Sequence, residues 1–144
     1  MSAEAIAIAA DHAGFPLKEE LVGELKRLGF DVLDLGTSSM ESVDYPDFAD
    51  KVARAIAEGR VKRGVAMCGT GIGISIALNR HRGVRAALCH DVTGARLARE
   101  HNDANVLALG GRITTPHIAK ECLEAFLNTP FAGGRHERRV AKLG

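Results

Sequence analysis

A chain of 144 residues, of which 46% are hydrophobic and 26% charged, has the size and composition of one globular domain. A net charge of +1 and an aromatic content of only 4% exclude the basic or aromatic-rich surface typical of nucleic-acid binders. No apolar run is long enough for a membrane span, and the N-terminus lacks a signal-peptide pattern. Three cysteines without paired spacing favour free thiols in a reducing compartment, so we expect a cytoplasmic protein.

Short β-rich runs alternate with helical patterns along the chain. The predicted strands cover 5–10, 31–35, 65–68, 84–89 and 105–109. The predicted helices begin at Pro16, Pro46, Ile74, Asp91 and Pro116, and a glycine, Gly29 or Gly59, ends each of the first two. The last stretch, 130–144, is basic and has little pattern.

Five successive βα units predict an α/β protein whose parallel sheet is covered by helices on both faces. Ligands of such folds bind outside the carboxyl ends of the strands. The loops that follow the predicted strands are 11–14, 36–45, 68–73, 90–91 and 110–115, and polar and reactive residues are concentrated in them. We therefore expect the functional site at this edge of the sheet.

The segment 67–75 combines a thiol with a glycine loop. The third predicted strand ends at Cys68, the loop Gly69-Thr70-Gly71-Ile72-Gly73 follows, and a helix then begins. Backbone N–H groups in such a loop, with a helix N-terminus behind them, suit an anion, and a thiol beside them can move a proton. Cysteine is also among the most buried residue types, so a structural role for Cys68 is the competing interpretation.

Other motifs with glycine loops or reactive cysteines fit the chain poorly. In the dinucleotide fingerprint G-x-G-x-x-G, the third glycine would fall at Ile74, and the fingerprint belongs after the first strand. No G-K-[ST] follows the loop, so no P-loop is present. A cysteine phosphatase would need an arginine where this chain has Ile72, Ile74 and Ser75. None of the six histidines pairs at metal-ligand spacing, so no metal site is predicted.

Several histidines and arginines have two open interpretations. His12 follows Asp11 at a strand end, where it suits substrate contact or bonds to the loop backbone. His101 ends a predicted helix, where a cation interacts favourably with the helix dipole. Four arginines offer bidentate donors for phosphate or form a solvated charged surface, namely Arg112, Arg135, Arg138 and Arg139.

Taken together, these residues closely resemble the type B ribose-5-phosphate isomerases, which share a family with the galactose-6-phosphate and allose-6-phosphate isomerases. The resemblance covers nearly the whole chain. It rests on Asp11-His12-Ala13-Gly14, Asp44-Tyr45-Pro46, Cys68-Gly69-Thr70-Gly71-Ile72-Gly73, Arg99-Glu100-His101-Asn102, Asn105-Val106-Leu107, Gly110-Gly111-Arg112 and Gly133-Gly134-Arg135-His136 with Arg139. It implies a Rossmann-like, three-layer α/β/α sandwich around a five-stranded parallel sheet of strand order 2-1-3-5-4.

The resemblance implies aldose–ketose isomerisation of ribose 5-phosphate and ribulose 5-phosphate through an enediolate. Cys68 matches the proton-transfer base of one branch, whereas another branch has a glutamate at the position of Ile74. Thr70 and the N–H groups of the loop that contains Gly69, Gly71 and Gly73 would stabilise the enediolate. His101 would open the furanose ring, and Asp11 would handle a sugar hydroxyl. The remaining contacts implied are Tyr45 and Asn102 to the sugar, and His12, Arg112, Arg135, His136 and Arg139 to the phosphate.

The resemblance also implies that no metal or organic cofactor takes part. Part of the family's phosphate site comes from the neighbouring subunit, so we expect a homodimer with shared active sites, sometimes paired into a tetramer. The single domain 1–144 would then end in a tail, 130–144, that reaches the partner. Two alternatives stay open: the same chemistry on allose 6-phosphate, galactose 6-phosphate or a tetrulose phosphate, and a non-catalytic sugar-phosphate-binding subunit.

Overall fold

The protein is described by a computed structural model that covers residues 3–144. Strands and helices alternate in chain order: β1 (Ala5–Ala10), α1 (Phe15–Arg27), β2 (Asp31–Asp34), α2 (Tyr45–Ala57), β3 (Arg63–Cys68), α3 (Ile72–Asn79), β4 (Ala86–Leu88), α4 (Val92–Asn102), β5 (Val106–Gly110), α5 (Pro116–Asn128) and α6 (Arg135–Ala141). Among these residues, none of the helices combines the length and the apolar character needed to cross a membrane.

The five strands form one parallel sheet in the order β2-β1-β3-β5-β4. In the register of its centre, Ala10 lies beside Met67, and Cys68 lies beside Gly110. The carboxyl ends of β1, β3 and β5 are therefore adjacent. This arrangement confirms the predicted α/β class and the strand order implied by the resemblance.

The two faces of the sheet carry side chains of different size. The face under α1, α4 and α5 carries large residues such as Ile8, Met67 and Leu109. On the central strands, the face under α2 and α3 carries mostly small ones, such as Ala7, Ala9, Ala66, Cys68 and Ala108. Because side chains alternate along a strand, these two sets interleave in sequence. The short side chains leave room for α2 and α3 close to the sheet, and Cys68 belongs to this face.

The observed boundaries differ from the predicted ones for local reasons. Proline lies in the first turn of α1, α2 and α5, as predicted. Helix α3 begins at Ile72, two residues before the predicted start, because Gly71 serves as its N-cap with φ of 79°. Strand β4 is shorter than the predicted 84–89 and has only Ala86–Leu88 in the ladder.

The C-terminal stretch contains a helix that the sequence pattern does not predict. Helix α6 spans only seven residues and is mostly charged, so it has no apolar stripe to reveal it. The Ala132 N–H donates to the carbonyl of Glu100 at 3.1 Å, which joins this stretch to the last turn of α4. The beginning of 130–144 thus packs against its own chain.

Candidate active site

Backbone hydrogen bonds join the loops that follow β1, β3 and β5 at the carboxyl edge of the sheet. The Asp11 N–H donates to the carbonyl of Met67 at 3.2 Å, and the Gly111 N–H donates to the carbonyl of Cys68 at 2.8 Å. A Cβ atom on Gly110 would lie 2.6 Å from the carbonyl oxygen of Thr70, so only glycine permits this approach. The loops after β1, β3 and β5 therefore form one continuous surface.

The thiol of Cys68 lies at the head of α3. The Gly71 N–H donates to its Sγ at 3.2 Å, and Thr70 Oγ1 accepts the N–H of Ile72 at 3.1 Å. The helical ladder starts with the Ser75 N–H, which donates to the Gly71 carbonyl at 3.1 Å. The N–H groups of Gly73 and Ile74 precede that bond and have no acceptor within the helix. The arrangement combines a thiol with donors that can hold an oxyanion.

The other two cysteines are unsuited to proton transfer near neutral pH. All three are free and buried. Burial raises the pKa of Cys89 to about 11, and burial likewise raises the pKa of Cys122 to about 11. Cys68 is therefore the thiol that the fold places beside the N–H groups of the loop.

Four further residues named from the sequence surround this thiol loop. The buried Asp11 carboxylate accepts the N–H of Gly14 at 3.0 Å. His12 Nδ1 accepts the N–H of Val43 at 3.2 Å, so the ring proton lies on Nε2. Tyr45 packs against Gly73, where a Cβ atom would lie 2.6 Å from the Tyr45 Cζ, and the Arg112 guanidinium lies beside Gly69.

The remaining site residues form a second cluster at the end of α4. His101 and Asn102 lie in its last turn, and α6 packs there with His136 and Arg139. These four, with Val140 and Leu143, line a cleft of about 300 Å³. Arg135, the first residue of α6, is exposed beside them. A larger cleft of about 610 Å³ adjoins at Asn102, between the 79–87 segment and the C-terminus.

Within one chain, the two clusters lie at opposite edges of the sheet. Cys68 is beside Gly110, the last residue of β5, whereas α4 carries the chain back to the start of β5 at Val106. The two ends of β5 are four residues apart, which corresponds to about 13 Å along the strand. The structure therefore brings Asp11, His12, Tyr45, Arg112 and the 68–73 loop together, but does not bring His101 to Cys68 of the same chain.

The sequence reasoning missed an ion pair between a buried lysine and an exposed aspartate that supports the site. Lys18 is 1% exposed, and its Nζ contacts Asp34 Oδ2 at 2.8 Å. Asp34 Oδ1 in turn accepts the N–H of Gly36 at 2.9 Å, where the loop that reaches His12 begins. The signal is a lysine on the inward face of α1, one residue after Leu17, because a buried lysine requires an acid partner.

An exposed apolar strip on α3 was also missed. Ile72 is 51% exposed and Ile76 is 52% exposed, four residues apart and immediately beside the thiol loop. The sequence of α3, Ile72–Asn79, has almost no polar face. A helix of this composition is normally covered on all sides, and this property is readable from the sequence.

A family model described as Ribose/Galactose Isomerase matches residues 6–143. This chain belongs to the ribose/galactose isomerase family. The family's ribose-5-phosphate isomerase B of Escherichia coli K12 is 48% identical over 94% of this chain and 91% of its own length. The D-erythrulose-4-phosphate isomerase of Pectobacterium atrosepticum is 43% identical over 96% and 92%, respectively. A crystal structure of a ribose 5-phosphate isomerase from Thermotoga maritima superposes with a TM-score of 0.95, at 53% identity and 97% coverage of both chains.

Membership of the ribose/galactose isomerase family confirms the resemblance stated from the motifs. The chain is accordingly an aldose–ketose sugar-phosphate isomerase. The two relatives named for ribose 5-phosphate and erythrulose 4-phosphate are of similar identity to this chain. Family membership therefore does not determine which sugar phosphate is the substrate.

We expect replacement of Gly71 by alanine to destabilise the thiol loop. Gly71 has φ of 79°, and an added Cβ would lie 2.5 Å from Leu88 Cδ1 and 2.8 Å from the Leu109 carbonyl carbon. Gly59 is the matched control, because its φ is 76° and nothing lies within 4 Å of its Cβ position. Gly59→Ala should lose only the backbone strain of about 1–2 kcal/mol, and Gly71→Ala should lose clearly more in urea unfolding. Equal losses would contradict the close packing of the loop.

Proposed function

We propose that this protein interconverts ribose 5-phosphate and ribulose 5-phosphate through an enediolate, with Cys68 as the proton-transfer base. The observation that carries the proposal is the Gly71 N–H donating to Cys68 Sγ at 3.2 Å, at the head of α3. The names of the relatives from Escherichia coli and Thermotoga maritima support the choice of substrate.

The reaction moves one proton between two adjacent carbons. In the aldose-to-ketose direction, the Cys68 thiolate removes the proton on C2, and the electron pair forms the enediolate while charge develops on O1. The N–H groups of Gly73 and Ile74 and the Thr70 hydroxyl lie where they can stabilise that charge. A second proton then passes from O2 to O1, and the thiol returns its proton to C1 while the carbonyl forms at C2. The base is thereby regenerated, and no redox partner is needed.

Ring opening and phosphate binding require the second cluster. His101 donates a proton to the ring oxygen of the furanose, and Asp11 accepts one from a sugar hydroxyl. Arg112 and His12 from the thiol edge, with Arg135 and Arg139 from α6, bind the phosphate by charge-assisted hydrogen bonds. His101 and Cys68 lie at opposite edges within one chain, so the two clusters serve one substrate only when two chains meet.

The exposed strip on α3 supports a homodimer with shared sites. Ile72 and Ile76 lie beside the thiol loop, and a partner that covers them would come directly to Cys68. A two-fold interface pairs each thiol loop with the partner's second cluster, which produces two equivalent sites. Pairing of such dimers into a tetramer would leave this arrangement unchanged.

A panel of phosphorylated sugars tests the substrate assignment. We expect ribose 5-phosphate to show the highest kcat/KM, above allose 6-phosphate, galactose 6-phosphate and erythrulose 4-phosphate. The Pectobacterium relative supports a tetrulose phosphate as the second candidate substrate. A higher kcat/KM for any other sugar phosphate would make that sugar phosphate the assigned substrate. Binding of every sugar without turnover would indicate the non-catalytic subunit instead.

The phosphate group should dominate substrate recognition. A charge-assisted hydrogen bond contributes about 1.5–3 kcal/mol, so losing two or more should reduce kcat/KM by at least about a hundredfold. Ribose should accordingly be a very poor substrate beside ribose 5-phosphate, and inorganic phosphate should compete weakly. Comparable turnover of the two sugars would refute this prediction.

Catalysis should also proceed without a divalent cation. Among residues 3–144, no group of three or more His, Cys, Asp or Glu side chains is arranged to hold a metal ion. We expect EDTA to leave the rate unchanged. Loss of activity in EDTA, followed by recovery with one added divalent ion, would be the contrary outcome.

A further inference from the structure

We propose that His136 is a positioning residue, whose ring stacks on His101 and holds it in the orientation needed for ring opening. This inference rests on the proposed function, because it assumes that His101 opens the furanose. It gives His136 a different role from the phosphate contact that the family resemblance implies.

The geometry of the two rings carries the inference. Their centroids are 4.4 Å apart, and the ring planes differ by 18°, so the imidazoles lie face to face. His136 is 9% exposed, whereas His101 is exposed. One ring is thus enclosed and the other faces outward. The enclosed ring serves as a fixed platform, and the outward ring remains able to reach a ligand.

The backbone fixes the platform to the helix that carries His101. The Ala132 N–H donates to the Glu100 carbonyl at 3.1 Å, one residue before His101. The His136 N–H donates to the Gly133 carbonyl at 3.1 Å, within the turn that opens α6. The segment that carries His136 is therefore attached to the last turn of α4, which carries His101.

Burial and the surrounding charges favour a neutral His136. Burial, together with the charges of His101, Arg135 and Arg139, lowers the pKa of His136, and Glu100 on α4 opposes this effect. Glu100 is itself paired with Arg96 at 3.0 Å. A neutral, enclosed imidazole is a weak ligand for phosphate, but it stacks on His101 without adding a charge there.

Two substitutions separate stacking from phosphate binding. H136F keeps an aromatic plane of similar size and cannot donate a hydrogen bond. H136Q keeps a donor and loses the plane. Stacking predicts that H136F retains most of the kcat on ribose 5-phosphate, and that H136Q loses about tenfold or more, with KM within about twofold. Phosphate contact predicts the reverse order, with a raised KM and weaker inhibition by phosphate in H136F.

The resonances of His101 give a readout that needs no substrate. A parallel ring at 4.4 Å displaces its ring-proton signals. We expect that displacement in the wild type and in H136F, and its loss in H136Q. H117A, at an exposed histidine on α5, is the control and should leave these signals unchanged. Identical His101 signals in wild type and H136Q would overturn the positioning role, even if that variant were less stable.

A second kinetic readout locates the defect in the reaction. Ribulose 5-phosphate has a phosphorylated O5, so it cannot close a five-membered ring and enters the site already open. H136Q should exchange the C1 proton of this ketose with D2O at the wild-type rate, while isomerisation of ribose 5-phosphate is slowed. Equal loss of both reactions would contradict a role confined to ring opening. A wild type that isomerises no sugar would instead refute the proposed function, whatever His101 shows by NMR.

Discussion

Replacement of Cys68 by alanine should lower turnover of ribose 5-phosphate by roughly 10²–10⁴-fold, the range expected when a general base is removed. No other thiol can substitute, because burial raises the pKa of Cys89 and Cys122 to about 11. Binding of the phosphosugar should persist, since the arginines that hold the phosphate are untouched. Steady-state kinetics and titration of the bound sugar measure these two properties separately.

The matched control for this substitution is C89A. Cys68 is the last residue of β3 and Cys89 directly follows the last residue of β4, and both cysteines are 4% exposed. The two variants remove the same atom from equally enclosed positions, so they should lose similar stability. C89A should nevertheless keep nearly full turnover. Near-normal turnover of C68A, or an equal loss of turnover in C89A, would show that Cys68 is not the base.

Two inactive variants should restore activity when their subunits are mixed. C68A retains the second cluster, and H101A retains the thiol loop. In a hybrid dimer, one site combines Cys68 of the second variant with His101 of the first and is intact, while the other site carries both defects. Random exchange makes half of the dimers hybrid, so we expect about a quarter of wild-type activity. The measurement is turnover after reversible dissociation of the mixture.

The control mixes C68A with the double variant C68A/H101A, which cannot produce an intact site. Subunit exchange must be verified independently, for example by mass spectrometry of differently labelled chains. No recovery after verified exchange would mean that each chain completes its own site. Such a result would contradict the opposite placement of Cys68 and His101 on the sheet.

The repeating βα pattern was sufficient to predict the parallel sheet, since apolar runs and helix-opening prolines are local signals. The order of the strands is a long-range property and came only from the family resemblance. The pattern also failed for α6, because a seven-residue charged helix has no apolar stripe and is held by contacts with α4. The local periodicity of the sequence carries no information about those contacts between helices.

The candidate site was only partly predictable for a similar reason. Loop position identified Asp11, His12 and the 68–73 segment, because carboxyl ends of adjacent parallel strands must meet. The βα alternation also implies that His101, at the end of a helix that returns to the next strand, lies at the opposite edge of the sheet. Nothing in the spacing, however, joins its ring to His136. The burial of Lys18 is readable from its place on the inward face of α1, but the identity of its partner is not, since Asp34 lies on a different element.

The unequal faces of the sheet have a consequence for how this protein can diverge. Ala9, Ala66 and Ala108 are fully buried beneath α2 and α3, so we expect a larger residue there to push α3 and its N–H groups away from Cys68. The opposite face carries Ile8, Met67 and Leu109, whose volumes can be exchanged among one another. Sequence drift should therefore accumulate on the face remote from the chemistry, and relatives that share this reaction should retain small residues on the other.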